Sequence, residues 1–379
     1  MRYFFRWVVF FIIAGIGVLF VLFYGAIHAN IFSGIYIISG GAVGQAPKKE
    51  VASLATLTPV DTIAYNAKLL QLANIPTRTI TVVVTSTIPG TSTIARSKIT
   101  KIVSSTSPWP VKTTYPDAGA LLPQNRIVAY YGNFYSTQMG VLGEYPPDQM
   151  ISMLQAAVAQ WTAADPTTPV IPALDYIAVT AQNSAGADGK YRARMPASQI
   201  EKTISLAQKV NGLVFLDVQV GLSNVQTEIP LLAQYLKLPN VELSLDPEFS
   251  MKDGAAPGKE IGTLDASDIN FVAHYLANIV NENTLPPKIL VVHRFTEDMV
   301  TNYKEIVPLP QVEMVMDMDG WGEPAKKINT YEQFIAAEPV QFTGFKLFYT
   351  NDLHPPSTGM LTPQQILKLS PQPSYIQYQ

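Results

Sequence analysis

The chain has 379 residues, no cysteine, 47% apolar and 15% charged residues, and a formal charge of −3. This excludes a disordered chain, a disulfide framework, a thiolate metal site and a lipid-bearing or nucleophilic cysteine. It leaves no basic excess to neutralise phosphates, so nucleic acid is not expected as a partner.

Trp7 to Ile27 is a run of 21 residues without a charge. As a helix it would cover roughly 30 Å, about one hydrocarbon core. Arg2 and Arg6 precede it, and the next basic residues are Lys48 and Lys49. The positive-inside rule then puts the N-terminus in the cytoplasm and everything after residue 30 outside. The alternative, a cleaved signal peptide, has a shorter apolar region and small residues before the cut. Here the nearest exit, Ala26-Ile27-His28-Ala29, puts Ile at the −3 position. Residues 1–30 are therefore expected to be a single-pass membrane anchor.

Residues 31–125 read as a connecting region. Its stretch Val60–Asn74 has apolar positions at helical spacing. Thr79–Ser105 is dense in Thr and Ser, β-branched from Thr79 to Thr85, with a turn signal at Pro89-Gly90. It fits either a hairpin or an extended spacer.

From residue 126 to 379 short apolar runs alternate with amphipathic segments. The runs begin near Ile127, Val170, Leu213, Val241, Ile289, Val312, Phe342 and Tyr375. Between them, Gln149–Ala164 and Asp268–Asn281 carry apolar stripes at helical period. Thr362-Pro363-Gln364-Gln365 reads as a capping box. Eight β-then-α units ending in a strand predict an α/β fold, a (β/α)₈ barrel of the usual size of about 250 residues.

Each run starts apolar and turns polar near its C-terminal end, the face where barrels carry their sites. Period-two sorting brings Tyr131, Asn133, Asp175, Asp217, Gln219, Asp246, Glu248, His293, Asp317, Asp319, Lys346 and Gln377 to one mouth. Arg294 adjoins His293, and Trp321 follows Asp319. Tyr176, Phe249, Phe348 and Tyr349 stand at neighbouring rims. Paired carboxylates in such a mouth are the equipment of glycoside hydrolysis, one as proton donor and one as nucleophile or base. Glu248 is the predicted acid, because the nearby Asp246 would raise its pKa. Asp317 and Asp319 are the predicted partners. The other polar and aromatic groups, Tyr349 included, would hold the sugar.

Other chemistries find less support. The four histidines show no HxxxH or HExxH spacing, and no GxxxxGK[ST] or GxGxxG occurs, so neither a zinc site nor a nucleotide cofactor is expected. Oxygen-rich clusters could hold Mg²⁺ or Ca²⁺ instead. Lys346 among carboxylates suits an ion pair better than a Schiff base. Two loops, Ile177–Met195 with Arg192 and Arg194, and Thr350–Leu361 with Asp352 and His354, would shape the cleft.

Four motifs carry a resemblance: Leu245-Asp-Pro-Glu-Phe249, Val291-Val-His-Arg-Phe295, Met316-Asp-Met-Asp-Gly320 and Gly344-Phe-Lys-Leu-Phe-Tyr349. With the terminal Tyr375–Gln379, they resemble a group of uncharacterised, surface-anchored exported bacterial barrel proteins often described as lipoproteins. The likeness to glycoside hydrolases is at fold level only. Many retaining barrel glycosidases place a glutamate nucleophile where this chain has Lys346. The expectation is a membrane-anchored, extracytoplasmic barrel that hydrolyses cell-envelope or extracellular polysaccharide. The alternative is a non-catalytic glycan-binding or surface-assembly module.

Overall fold

The computed structural model describes residues 57–75, 77–87, 94–104 and 107–379. The expected membrane segment, 7–27, lies outside the described residues. Among those described, no helix is long and apolar enough to cross a membrane.

The first element is a helix, Thr62–Ala73. The Asp61 carboxylate starts it by accepting from the backbone N–H groups of Ile63 and Ala64 at 2.9 and 3.0 Å. Asn74 ends it in the left-handed conformation that Asn tolerates. Of the two readings of the Thr/Ser-rich stretch, the hairpin forms: β1 (Thr77–Thr87) pairs antiparallel with β2 (Ile94–Ser104) along its full length.

The remaining strands are β3 (Arg126–Gly132), β4 (Val170–Ala181), β5 (Arg192–Arg194), β6 (Leu213–Val218), β7 (Val241–Leu245), β8 (Leu264–Asp265), β9 (Lys288–Arg294), β10 (Val300–Thr301), β11 (Val312–Met318), β12 (Phe342–Leu347) and β13 (Tyr375–Tyr378). Eight of these, β3, β4, β6, β7, β9, β11, β12 and β13, pair in parallel with their neighbours. The pairing of β13 with β3 closes the ring. The expected eight-stranded (β/α)₈ barrel is present. β5 is a short antiparallel addition to β4, and β8 with β10 makes a separate small parallel pair.

Helices Pro147–Ala164 and Ala266–Asn283 coincide with the two apolar stripes. The second opens on a capping box between Asp265 and Asp268, and the Thr362–Gln365 box opens Pro363–Ile366. Alternate strand residues such as Leu174, Val214, Leu216, Leu290, Val292, Met314 and Met316 face the helices and are buried. Each such side chain contributes about 1.5–3 kcal/mol of burial.

The barrel interior is divided along its axis. Its lower part is apolar: Ile127, Ala129, Ala173, Phe215, Ile289, Val291, Val315 and Phe342. Tyr65, from the first helix, and Leu122 join this cluster, so the connecting region packs on the barrel base. Glu313, at the start of β11, accepts from the N–H groups of Leu121 and Leu122 at 2.9 and 2.7 Å. The upper part of the interior is polar, and the site lies there.

Candidate functional site

The polar residues reach the mouth because period-two alternation continues to the strand ends. Directly above the apolar layer, Asp175 accepts from Tyr375 Oη (2.9 Å), Ser244 Oγ (2.9 Å) and Gln377 Nε2 (2.8 Å). All of these groups are buried. Asp175 and Gln377, expected at the mouth, instead form this internal tier and do not line the open cavity.

A second tier carries the charge. His293 Nδ1 donates to Asp317 at 3.0 Å, with Asp319 at 3.8 Å. His293 Nε2 faces Asp217 Oδ1 at 3.9 Å, too long for a hydrogen bond. Burial opposes the imidazolium, but the bond to Asp317 and the charge of Asp319 outweigh it and raise the His293 pKa to about 10. The other Asp217 oxygen accepts from Tyr131 Oη at 2.9 Å. Gln219 Nε2 donates to Tyr131 Oη (3.2 Å) and to Asp246 (3.0 Å). Its own oxygen accepts from the N–H of Ala181 at 3.0 Å. Asp217, His293 and Asp317 are fully buried and belong to the support of the site.

Above them opens a cavity of about 440 Å³. Tyr131, Gln219, Asp246, Glu248, Asp319, Trp321 and Lys346, all predicted, line it. Lys346 Nζ pairs with Asp319 at 2.9 Å and lies 4.0 Å from the Tyr131 ring centroid, so it forms the expected ion pair. Burial, followed by the neighbouring Glu248 charge, raises the Asp246 pKa to about 7. Burial, followed by the charge of Asp319, raises that of Glu248 to about 7. For Glu248 the leading neighbour is thus Asp319, whereas the sequence pointed to Asp246. Among the described residues Glu248 has no ion-pair partner, and it is half-buried.

Glu248 does not lie on the strand. β7 ends at Leu245, and Pro247–Phe249 is a single 3₁₀ turn. Proline carries no N–H to continue the ladder. The turn carries Glu248 to the cavity wall.

Three predicted ligand-binding residues point elsewhere. Arg294 lies on the opposite face of β9 from His293. It donates to the carbonyls of Thr296 (3.1 Å), Phe334 (3.1 Å) and Glu297 (2.9 Å) and pairs with Glu338. Asn133 falls just beyond β3, bonding Ile177 O and the N–H of Tyr135, each at 2.9 Å. Tyr349 lies outside the ring, stacked on Tyr378 with centroids 5.2 Å apart and bonded to Tyr130 Oη. Tyr176 likewise stacks on Phe134. Arg192 and Arg194 clamp buried Glu228 at 2.8 and 2.6 Å and do not face the mouth acids.

Several cavity residues were not predicted: Gln138, Lys326, Asn351 and Gln379. Lys326 lies on the helix Pro324–Tyr331 and the others lie outside the strands, where alternation gives no phase. Asp352, flagged only as part of a loop, is a positioning residue. Its carboxylate accepts from Lys327 Nζ (2.7 Å), the N–H of Gly322 (3.0 Å) and the N–H of Phe348 (3.0 Å). One buried acid therefore fixes the backbone beside both aromatic walls, Trp321 and Phe348. Among the described residues, no group of three His, Asp or Glu is arranged to hold a metal ion.

No protein-family model and no curated protein matches this chain. The group of exported proteins that its motifs resemble is therefore not shown. A solved structure it is similar to is Bacillus subtilis mannanase BCman, at 14% identity over 68% of this chain and 80% of that one, with a TM-score of 0.35. Similarity that low says nothing of activity. The barrel assignment stands on strand order and closure.

The cavity can therefore supply a protonated acid near neutral pH, a carboxylate held by an ammonium, and an exposed indole. Trp321 is 51% exposed, with Lys326 Nζ 5.2 Å from its ring centroid.

Proposed function

We propose that this barrel is a glycoside-hydrolase-like enzyme acting on polysaccharide. Glu248 is the general acid and Asp319 the second carboxylate. The observation that carries this reading is the unlike setting of two acids on one open cavity. Among the described residues Glu248 has no ion-pair partner and is pushed up to about 7, while Asp319 is ion-paired to Lys346 at 2.9 Å. Environments that separate two carboxyls in this way assign acid and base roles. In the reaction Glu248 gives its proton to the glycosidic oxygen as the bond from that oxygen to the anomeric carbon breaks. Asp319 attacks that carbon or takes a proton from the attacking water. Asp317, the other predicted partner, is bonded to His293 and does not line the cavity. Trp321 offers a flat face to a sugar ring.

The proposal extends to location. The run from Trp7 to Ile27 would hold the barrel on the outer side of the cell membrane, within reach of envelope or extracellular glycans.

The test is a screen of polysaccharides with the wild-type chain and Glu248→Gln. Loss of the acid should lower kcat by roughly 10²–10⁴-fold, with binding kept. An unchanged rate in Glu248→Gln removes Glu248 from the mechanism. Binding without cleavage, abolished by Trp321→Ala, puts the glycan-binding module in its place.

A further inference from the structure

The cavity at the mouth does not end at Phe348. A second cavity of about 270 Å³ begins there, lined by Thr137, Gly140, Glu144 and Thr350. Gln138, Phe348, Asn351 and Gln379 line both. The two cavities adjoin along these four residues, with Trp321 and the acids in the first and the loop after β3 beside the second.

The residues at the junction indicate what lies along it. Phe348 is held from behind, with Lys327 Nζ 4.8 Å and Lys346 Nζ 5.1 Å from its ring centroid, and by the backbone bond to Asp352. Beside it stand the primary amides of Gln138 and Asn351. Among the described residues neither amide side chain is engaged in a hydrogen bond, although each offers two donors and an acceptor. An aromatic floor flanked by two amides suits a chain of hydroxyl-bearing rings. Charge narrows the class further. Above about pH 7, where Asp246 and Glu248 ionise, the two cavities carry four acids, Asp246, Glu248, Asp319 and Glu144, against Lys326 and Lys346. A polyanion would bring like charges together, which is unfavourable.

We infer that the second cavity is an additional sugar-binding subsite, and that the substrate is an uncharged glycan long enough to span both cavities. This rests on the carbohydrate reading of the mouth. Acidic polymers such as polyuronates are disfavoured once Asp246 and Glu248 ionise, above about pH 7.

The experiment uses the full chain in the Glu248→Gln form, so that bound oligomers survive. Affinity is measured by calorimetry for unbranched neutral hexose oligomers of two to six units and for an oligouronate of matching length. The longer neutral oligomers should bind at least roughly tenfold more tightly than the disaccharide, a gain of about 1.4 kcal/mol. Thr137→Trp, which fills the second cavity from an exposed loop position, should bring that ratio to about one. At about pH 8, where Asp246 is ionised, the oligouronate should bind more weakly than the neutral oligomer of matching length. Neutral oligomers that bind with no gain in length, or a gain that survives Thr137→Trp, overturn the second subsite and leave the mouth reading standing. Preference for the oligouronate overturns the charge argument. If no oligomer of any length binds, both this inference and the carbohydrate reading fail.

Discussion

Glu248, Asp246, Glu313 and His293 share one electrostatic property. Each has a folded-state pKa above its ordinary value: about 7, 7, 8 and 10 against 4.5, 3.8, 4.5 and 6.5. For the three carboxyls burial disfavours the anion; for His293 the surrounding acids favour the cation. The fold therefore holds protons that the unfolded chain releases. The stability these groups contribute is complete below their unfolded values and is lost as pH rises through the folded ones. Thermal midpoints should fall as pH rises from about 5 to about 8, and Glu313→Gln should flatten the upper part of that slope. Above about 8 Lys327, whose pKa burial lowers to about 8, acts in the opposite sense. A midpoint that rises across the window would contradict the assignment. The same residues show what the sequence could convey. Alternation placed Tyr131, Asp217, Gln219, Asp246, His293 and Lys346 inside the ring, because a regular strand fixes side-chain phase. It failed at Asn133, just past the end of β3, and Tyr349, expected at a rim, lies outside the ring.

At the scale of elements, the helix Thr62–Ala73 has a role that its weak amphipathic pattern did not announce. It covers the barrel base: Tyr65 joins the interior cluster, and Leu72 and Ala73 pack with Trp109. Lys68 Nζ reaches Thr168 Oγ1 at 2.6 Å. A helix that is apolar along one narrow stripe reads from sequence as a short surface element, and nothing local tells which surface it meets. A chain beginning at Trp109 keeps all eight strands but uncovers this base. Losing the burial of Tyr65 and Leu72 should lower stability by about 3–6 kcal/mol. Denaturant melts of the two chains measure it, and equal midpoints would show that the helix contributes nothing. By contrast, the helices at 147–164 and 266–283 were legible, since their stripes are broad and their partner is the adjacent strand pair.

For the whole molecule, the ring order could be read from the sequence because each strand pairs with its successor, so chain order and spatial order coincide. The inward tiers could be read only in part. Which polar residue meets the cavity and which is sealed below depends on the stagger between strands, and a one-dimensional pattern does not contain it. The proposed location is open to a direct test. Protease added to spheroplasts should cleave the chain beyond residue 30 without lysis. Protection that is lost only on lysis would place the barrel inside.

Closure of the ring by β13 on β3 bears on how solvent reaches the backbone. An open sheet frays from its outer strands, so its edge amides exchange hydrogen with water by small local openings. This ring has no outermost strand. Its central amides should become exchange-competent only when the barrel opens as a whole, and β3 and β13, the first and last strands, should be as slow as β7 and β9. Among the described residues the two-stranded hairpin β1–β2 pairs with no further strand, and its amides should exchange orders of magnitude sooner. Deuterium uptake followed by mass spectrometry would resolve the two rates in one sample. Fast uptake in β13 alone would mean that the ring opens at its last strand.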